Sequence, residues 1–329
     1  MIRFGILGFG LHAVKRVMPA FERVKHCKVT ALSRRTMVDA RASAEKYHIP
    51  LAFDSGEAVC SSNEVDAVFV STPDACHLAD VLTALHHGKP VLCEKPMAMN
   101  AREAEQMVNA ARKQKILLGV AHVFRFEDSV LRVRQLLAEG AIGRPLLARS
   151  EFCYPGKTHT RQWLRDAKMS CGGPIGDVGV HCLDALRLIL ADEVESVFTS
   201  AAYDDANSTL ETSASMNLRF RTGVLANINV SILSPYRTPF EIVGEKGSIR
   251  AQDFFSVEKP VELIIEHDGS TRRETHSNHE AYVRQFEGFA LALENGVPFA
   301  ATGEQGLINQ RVLDAAFRSA KSGISEHPD

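Results

Sequence analysis

The sequence predicts an α/β protein in two parts. A doubly wound parallel sheet occupies residues 1–121, and an α+β domain with an open, mostly antiparallel sheet occupies residues 122–329. Three observations carry that prediction. Short apolar runs alternate with helical patterns through the first part, which implies βαβ units. A glycine-containing turn joins the first strand to the first helix. Past residue 122 the rhythm changes to strands with one apolar and one polar face.

Ile2 to Leu7 reads as a buried strand, and Gly8-Phe9-Gly10-Leu11-His12-Ala13 follows at once. Val14, Val17, Met18, Phe21 and Val24 then recur at helical spacing. This is GxGxxA between a strand and a helix. The first glycine permits the tight turn, and the second lets the backbone approach a pyrophosphate. The small Ala13 lets helix and strand pack closely, and the helix N-terminus attracts phosphate charge.

Val29 to Leu32 reads as the second strand, and Ser33-Arg34-Arg35 stands at its end. A site for NAD usually places Asp or Glu there, about 20 residues after the glycines. A hydroxyl and two guanidinium groups suit a 2′-phosphate instead, which arginine holds with paired charged hydrogen bonds. NADP is the expected cofactor, with NAD the alternative.

The alternation continues. Val65 to Val70 is a strand that leaves through Ser71-Thr72-Pro73. Cys76, Leu78, Val81, Leu82 and Leu85 trace a helix ending at Gly88. Pro90 to Cys93 is a strand that releases Glu94-Lys95-Pro96. Asn100 caps a helix running towards Lys115, and Ile116 to Ala121 is a further strand. Gly8, Ser33, Thr72 and Glu94 thus stand in one row beyond the carboxyl ends of the strands, where open α/β sheets bind ligands.

In the second part, Gly172-Gly173-Pro174 precedes a helical pattern of Val178, Val180, Leu183, Leu186, Ile189 and Leu190. Asp177 and His181 lie four apart on it and share one face. Ala214, Met216, Leu218 and Phe220 alternate with small polar residues and Arg219. After Thr222-Gly223, Ala226, Ile228, Val230 and Ile232 do the same, which predicts a half-buried antiparallel hairpin. Shorter strands are expected near Glu241–Val243, Ser248–Ala251 and Val261–Glu266, and two closing helices near Glu280–Asn295 and Glu304–Ser322. The hairpin's polar face suits either a subunit contact or solvent.

Bulk composition excludes several classes. The net charge of −2 gives no electrostatic footprint for nucleic acid or an anionic membrane surface. No apolar run approaches the roughly 18 residues of a membrane span. Seven scattered cysteines without a CxxC argue against a disulfide framework or a zinc site, and no metal is expected. With an N-terminus that runs straight into a strand pattern, they fit a cytoplasmic protein.

Taken together, Gly8–Ala13, Ser71-Thr72-Pro73 with His77, Gly88–Pro96, Arg125-Phe126 and Gly172–His181 resemble the glucose–fructose oxidoreductase / inositol dehydrogenase / rhizopine catabolism (Gfo/Idh/MocA) family. The resemblance spans essentially the whole chain. The glycine motif is weakly specific, whereas Glu94-Lys95-Pro96 paired with Asp177-x-Gly-x-His181 is highly specific. It implies a Rossmann domain, a bound nicotinamide cofactor, and hydride transfer at a carbinol or carbonyl carbon of a sugar, inositol or related polyol. It also implies a homodimer or homotetramer, built through the open sheet face.

Carried over residue by residue, Lys95 resembles the catalytic lysine, and Asp177 and His181 the acid/base pair. Gly8, Phe9, Gly10, Leu11, His12, Ser33, Arg34, Arg35, Thr72, Pro73, His77, Glu94, Lys95 and Arg125 are the candidate cofactor contacts. Trp163 and Arg165 resemble a pocket-lining segment. Tyr154 reads equally as a substrate donor and as a packed aromatic. Phe124 stands where many members have another arginine, and Asp128 stands near a usual proline; both bear on the substrate pocket. The resemblance also makes Lys95-Pro96 a candidate cis peptide.

The chemistry follows from the groups themselves. Oxidation of a carbinol leaves a hydroxyl proton to be accepted, and histidine titrates near working pH, at about 6.5. Asp177 stabilises the imidazolium, and Lys95 stabilises the oxygen as it becomes alkoxide-like. Two alternatives stand beside this one: a non-catalytic cofactor-binding regulator of the same fold, and a reductase of an aromatic or bilin-like substrate.

Overall fold

The computed structural model describes residues 1–157, 161–204 and 208–328. Two compact units result. The first comprises Met1–His122, Lys168–Cys171 and Tyr282–Gln310, and the second Val123–Ala167, Gly172–Ala281 and Arg311–Asp329.

The first unit is built on six strands: β1 (Ile2–Leu7), β2 (Cys27–Ser33), β3 (Leu51–Phe53), β4 (Ala67–Val70), β5 (Val91–Cys93) and β6 (Leu118–Val120). All pair in parallel, in the order β3-β2-β1-β4-β5-β6. The order reverses between β1 and β4, which makes their carboxyl ends the switch point where such sheets bind ligands. Strands buried on both faces explain the unbroken apolar runs. Register places Ile6, Phe69, Leu92 and Gly119 side by side on one face. The helix Ala281–Asn295 covers that face, with the Phe286 ring 5.7 Å from Phe4 and 5.2 Å from Phe69. A Cβ on Gly119 would come 2.6 Å from the Phe299 ring, so only glycine fits there. On the opposite face Leu7, Val68, Val70, Val91, Cys93 and Val120 join one core cluster with Val81, Leu85, Met107 and Val108.

The second unit carries β7 (Pro145–Pro155), β8 (Val194–Ala202), β9 (Ser213–Phe220), β10 (Leu225–Ser231), β11 (Leu233–Arg237), β12 (Phe240–Gly244), β13 (Gly247–Ala251), β14 (Val261–His267) and β15 (Ser270–His276). Their order is β15-β14-β13-β12-β7-β10-β9-β8, with β11 beside β7. Among the strand pairs of the described residues in this sheet, only β7–β10 is parallel. The predicted hairpin is β9–β10, with Ala214, Met216, Leu218, Ala226, Ile228 and Val230 all buried. The turn Ile175–Gly179 packs on β7 and β10, and the helix Val180–Leu190 on β7.

Several elements differ from the expectation. The strand expected at Val65–Val70 begins at Ala67, and that expected at Ile116–Ala121 is the shorter Leu118–Val120. Asp177 does not lie in a regular helix. Residues Ile175–Gly179 form a π-helical turn, and the α-helix starts only at Val180. Glycines at 176 and 179 lower the helix propensity of that turn through their backbone freedom, and π-turns recur at functional sites. Among the described residues no helix is long and apolar enough to cross a membrane.

Candidate active site

In the first unit the glycine turn opens at the end of β1. Gly8 has φ +77°, and an added Cβ would sit 2.8 Å from Thr72 Cγ2 and 2.9 Å from Ser71 O. A side chain is therefore excluded both by conformation and by space. Around Gly10 the situation is the opposite: an added Cβ would meet only Gly8 O, at 3.7 Å. The backbone is bare there and open to a phosphate. Phe9 donates its N–H to Ser33 O at 2.9 Å, which ties the turn to the end of β2. Its ring is buried against Tyr47, so what Phe9 offers a ligand is backbone. Leu11 is half-buried.

Ser33 is buried, Arg34 half-buried and Arg35 exposed. Arg34 Nη1 donates to Ser43 Oγ at 2.8 Å, on the helix Met37–Lys46. Thr36 caps that helix by accepting from Asp39 N at 3.1 Å. Two guanidinium groups and a helix N-terminus thus follow β2, a combination suited to an anionic group.

Beyond β4 and β5, His77 is fully buried and works as a cross-tie. Its Nδ1 lies 3.0 Å from Pro96 O and its Nε2 3.0 Å from Thr72 O. The loop after β4, with Pro73, is thereby bound to the loop that carries Lys95. Thr72 Oγ1 donates to Asp80 Oδ2 at 2.6 Å. Glu94 Oε1 lies 2.9 Å from His12 Nε2, and Lys95 N donates to Glu94 Oε2 at 3.3 Å. Burial drives the Glu94 carboxyl upward, but His12 and then Lys95 outweigh it and leave Glu94 below the usual carboxylate range. The Lys95–Pro96 peptide is cis.

In the second unit Asp177 and His181 are both more than nine-tenths buried. Tyr154, on β7, donates its phenol to Asp177 Oδ2 at 2.5 Å. Burial, and then the Asp177 charge, push the Tyr154 phenol above its ordinary range, against the pull of Arg161 and Arg165. It therefore stays a donor at any physiological pH. The His181 ring stacks on Phe124 at 4.2 Å, and Phe124 stacks in turn on Phe255 at 4.5 Å. Phe152 lies 6.0 Å from the imidazole. An aromatic column thus orients the ring that Phe124 touches.

Arg125 is held by a two-pronged ion pair. Its Nε and Nη2 donate to the Asp184 carboxylate at 2.7–3.0 Å, with the side chains 5% and 1% exposed. Asp184 stands one turn beyond His181, so this pair braces the helix carrying the imidazole. Trp163 and Arg165 lie in the short turn Gln162–Arg165, where Arg165 Nη2 donates to Gly156 O at 3.3 Å. The spacing argument missed Asp184 and the aromatic column. A pattern of apolar residues gives no sign of which aromatic ring meets which, and Asp184 reads as an ordinary helix acid.

A bare glycine turn at the switch point of a doubly wound sheet, followed by two arginines at the next strand end, defines the nucleotide-binding half of a dinucleotide-dependent oxidoreductase. The chain belongs to the GFO/IDH/MocA oxidoreductases. Residues 2–122 match the family of oxidoreductases with an NAD-binding Rossmann fold, and residues 130–250 match the GFO/IDH/MocA C-terminal domain. The 1,5-anhydro-D-fructose reductase of Ensifer adhaerens is 30% identical over 326 residues, covering 98% of this chain and 97% of that one. The D-xylose 1-dehydrogenase (NADP(+)) 2 of Haloferax volcanii is 29% identical over 330 residues, covering 99% of each. The aldose-aldose oxidoreductase of Caulobacter crescentus, solved with glycerol, superposes with a TM-score of 0.92 at 23% identity and 99% coverage of both chains. The protein is thus an NAD(P)-dependent oxidoreductase.

Proposed function

We propose that the protein moves hydride between NADP(H) and a carbinol or carbonyl carbon of a sugar- or polyol-like substrate. Residues 1–121 bind the dinucleotide, and residues 122–329 bind the substrate and assemble the oligomer. The observation that carries this is Lys95 at the carboxyl end of β5, beside the switch point and the glycine turn of the same sheet. Names of relatives that reduce anhydrofructose or oxidise xylose support the substrate class.

The nicotinamide, when bound, supplies the hydride acceptor or donor. Gly8 to His12 hold the pyrophosphate, with Thr72, Pro73, His77 and Glu94 shaping the wall beside it. Ser33, Arg34 and Arg35 take the 2′-phosphate. Lys95 stabilises the substrate oxygen as negative charge develops on it. His181 takes the hydroxyl proton during oxidation and returns it during reduction. Asp177, which accepts from the Tyr154 phenol, stabilises the imidazolium.

The aromatic column of Phe152, His181, Phe124 and Phe255 favours one second reading, an aromatic or bilin-like substrate. A turnover screen of sugars, inositols, anhydro-sugars and dihydrodiols with both cofactors separates the two. Turnover confined to the dihydrodiols overturns the sugar assignment. Fluorescence titration tests the cofactor, and tighter binding of NADH than NADPH overturns the NADP preference.

The homo-oligomer is proposed to form through the open face of the second sheet. Leu147 and Leu225 are half exposed there, over a groove of about 510 Å³ that Asn217 and Asn227 also line. Light scattering on the eluted protein tests this, and a monomer at all concentrations contradicts it.

A further inference from the structure

We infer that Glu211 is a positioning residue of the reaction, holding the start of the segment that carries Asp177 and His181. This rests on the roles proposed above for those two residues. The segment begins in an awkward way. Gly172 and Gly173 have no side chains, Pro174 has no N–H, and no side chain of the capping residue meets the first amides. Such amides need a partner when buried.

Glu211 supplies it from a distant part of the chain. It is 4% exposed, and its Oε1 accepts from Ile175 N at 2.9 Å. The Gly173 backbone lies against the same side chain. An added Cβ on Gly173 would sit 2.0 Å from Glu211 O and 3.1 Å from Glu211 Cδ, so the turn is pressed against the whole residue. Gly172 is wedged on its other side, with φ +83° and an added Cβ only 2.4 Å from the Phe317 ring.

Glu211 itself is anchored. The next residue, Thr212, donates its N–H to Ala202 O at 2.8 Å and accepts from Ile232 N at 3.0 Å. The Gly173 peptide then passes the restraint on, because its C=O accepts from Asp177 N at 3.0 Å. Gly173 thus stands between the Glu211 carboxyl group it packs against and the Asp177 amide that its C=O accepts from. Burial raises the Glu211 carboxyl, and the backbone amides of Gly173 and Ile175 pull it back. A buried carboxylate met by helix-start amides is costly to keep. A capping role alone would be served by a serine or threonine at the helix start.

The test compares Glu211→Ala and Glu211→Gln with Lys95→Ala and His181→Ala, on the screened substrate that turns over fastest. Glu211→Ala is expected to lower kcat about 10- to 100-fold, the scale of an ångström-sized misplacement. NADPH affinity should stay within about twofold, because the dinucleotide residues are untouched. Glu211→Gln, which keeps an acceptor for Ile175 N, should recover part of the loss. Wild-type kcat in either folded variant overturns the inference. If Glu211→Ala does not fold, Glu211→Gln decides alone: a several-fold fall in kcat at unchanged NADPH affinity supports it. Failure of both to fold assigns Glu211 a purely structural role and also overturns it. If Lys95→Ala and His181→Ala keep full turnover, the proposed chemistry falls and this inference with it. If they lose turnover while the Glu211 variants keep it, only the Glu211 inference falls.

Discussion

Replacing Asp184 by asparagine strips the charge from a buried partner while keeping its shape. Arg125 and Asp184 are 5% and 1% exposed and share contacts of 2.7–3.0 Å. At about 2.8 Å and an effective dielectric near 20, their attraction is about 6 kcal/mol. Desolvation of the two ions offsets most of that in the intact pair. In Asp184→Asn the arginine stays buried and charged with the Asp184 charge removed, so the variant should lose about 3–5 kcal/mol. With a urea slope of about 2–3 kcal/mol/M, the unfolding midpoint moves down by roughly 1.5 M. Trp163 is the only tryptophan and lies in the second unit, so its fluorescence reports on the right part of the chain. Replacing both residues by apolar ones of similar volume should restore most of the loss. A midpoint shift equivalent to less than about 1 kcal/mol, the scale of an exposed pair, would show that Asp184 does not hold Arg125.

Other perturbations follow from the same geometry. Glu127 is fully buried, and no hydrogen-bond partner meets either oxygen among the described residues; burial alone drives its carboxyl well above the ordinary 4.5. A carboxyl raised on folding contributes most below its unfolded value and loses that contribution as pH rises. Glu127→Gln should therefore match the parent near pH 4 and exceed it at pH 8, by about 1.4 kcal/mol for each unit of the upward shift; equal differences at both pH values would contradict this. Tyr154→Phe removes the donor to Asp177, so kcat should fall about tenfold or more, the worth of one hydrogen bond to a charged group, at NADPH affinity within about twofold of wild type; an unchanged kcat would sever Tyr154 from the reaction. Gly8→Ala forces a side chain into φ +77° against Thr72, and should cost about 1–2 kcal/mol of stability together with most NADPH affinity; an NADPH titration within twofold of wild type would argue against the glycine turn as the phosphate site.

Much of the first unit was legible because parallel strands are buried on both faces. Their apolar runs, broken by Gly8, Pro73 and Gly88, leave little choice of element. The β9–β10 hairpin was legible for the complementary reason, one face in and one face out. β15 was not, since Ser270 to His276 has no apolar alternation and is placed by pairing with β14. β7 was missed because Arg149 and Glu151 interrupt its pattern; they are tied to each other by an ion pair, and Glu151 is also tied to Arg237. At the candidate site, motif spacing singled out Lys95, Asp177 and His181. It did not single out Glu211 or Phe255, which lie far along the chain and are recruited by tertiary packing, nor Asp184, one turn beyond His181, whose partner Arg125 lies 59 residues away. The π-helical turn at Ile175–Gly179 escaped because a four-residue spacing assumes regular winding.

The central claim is that Lys95 supplies charge to the reacting oxygen and leaves cofactor binding to its neighbours. Single-turnover rates of Lys95→Ala, measured with saturating NADPH or NADP beside an NADPH titration, address it directly. The account predicts an unchanged dissociation constant within about threefold and a hydride-transfer rate lower by about 10²–10³, the usual loss when one such stabilising group is removed. A rate near wild type with NADPH still bound would contradict it.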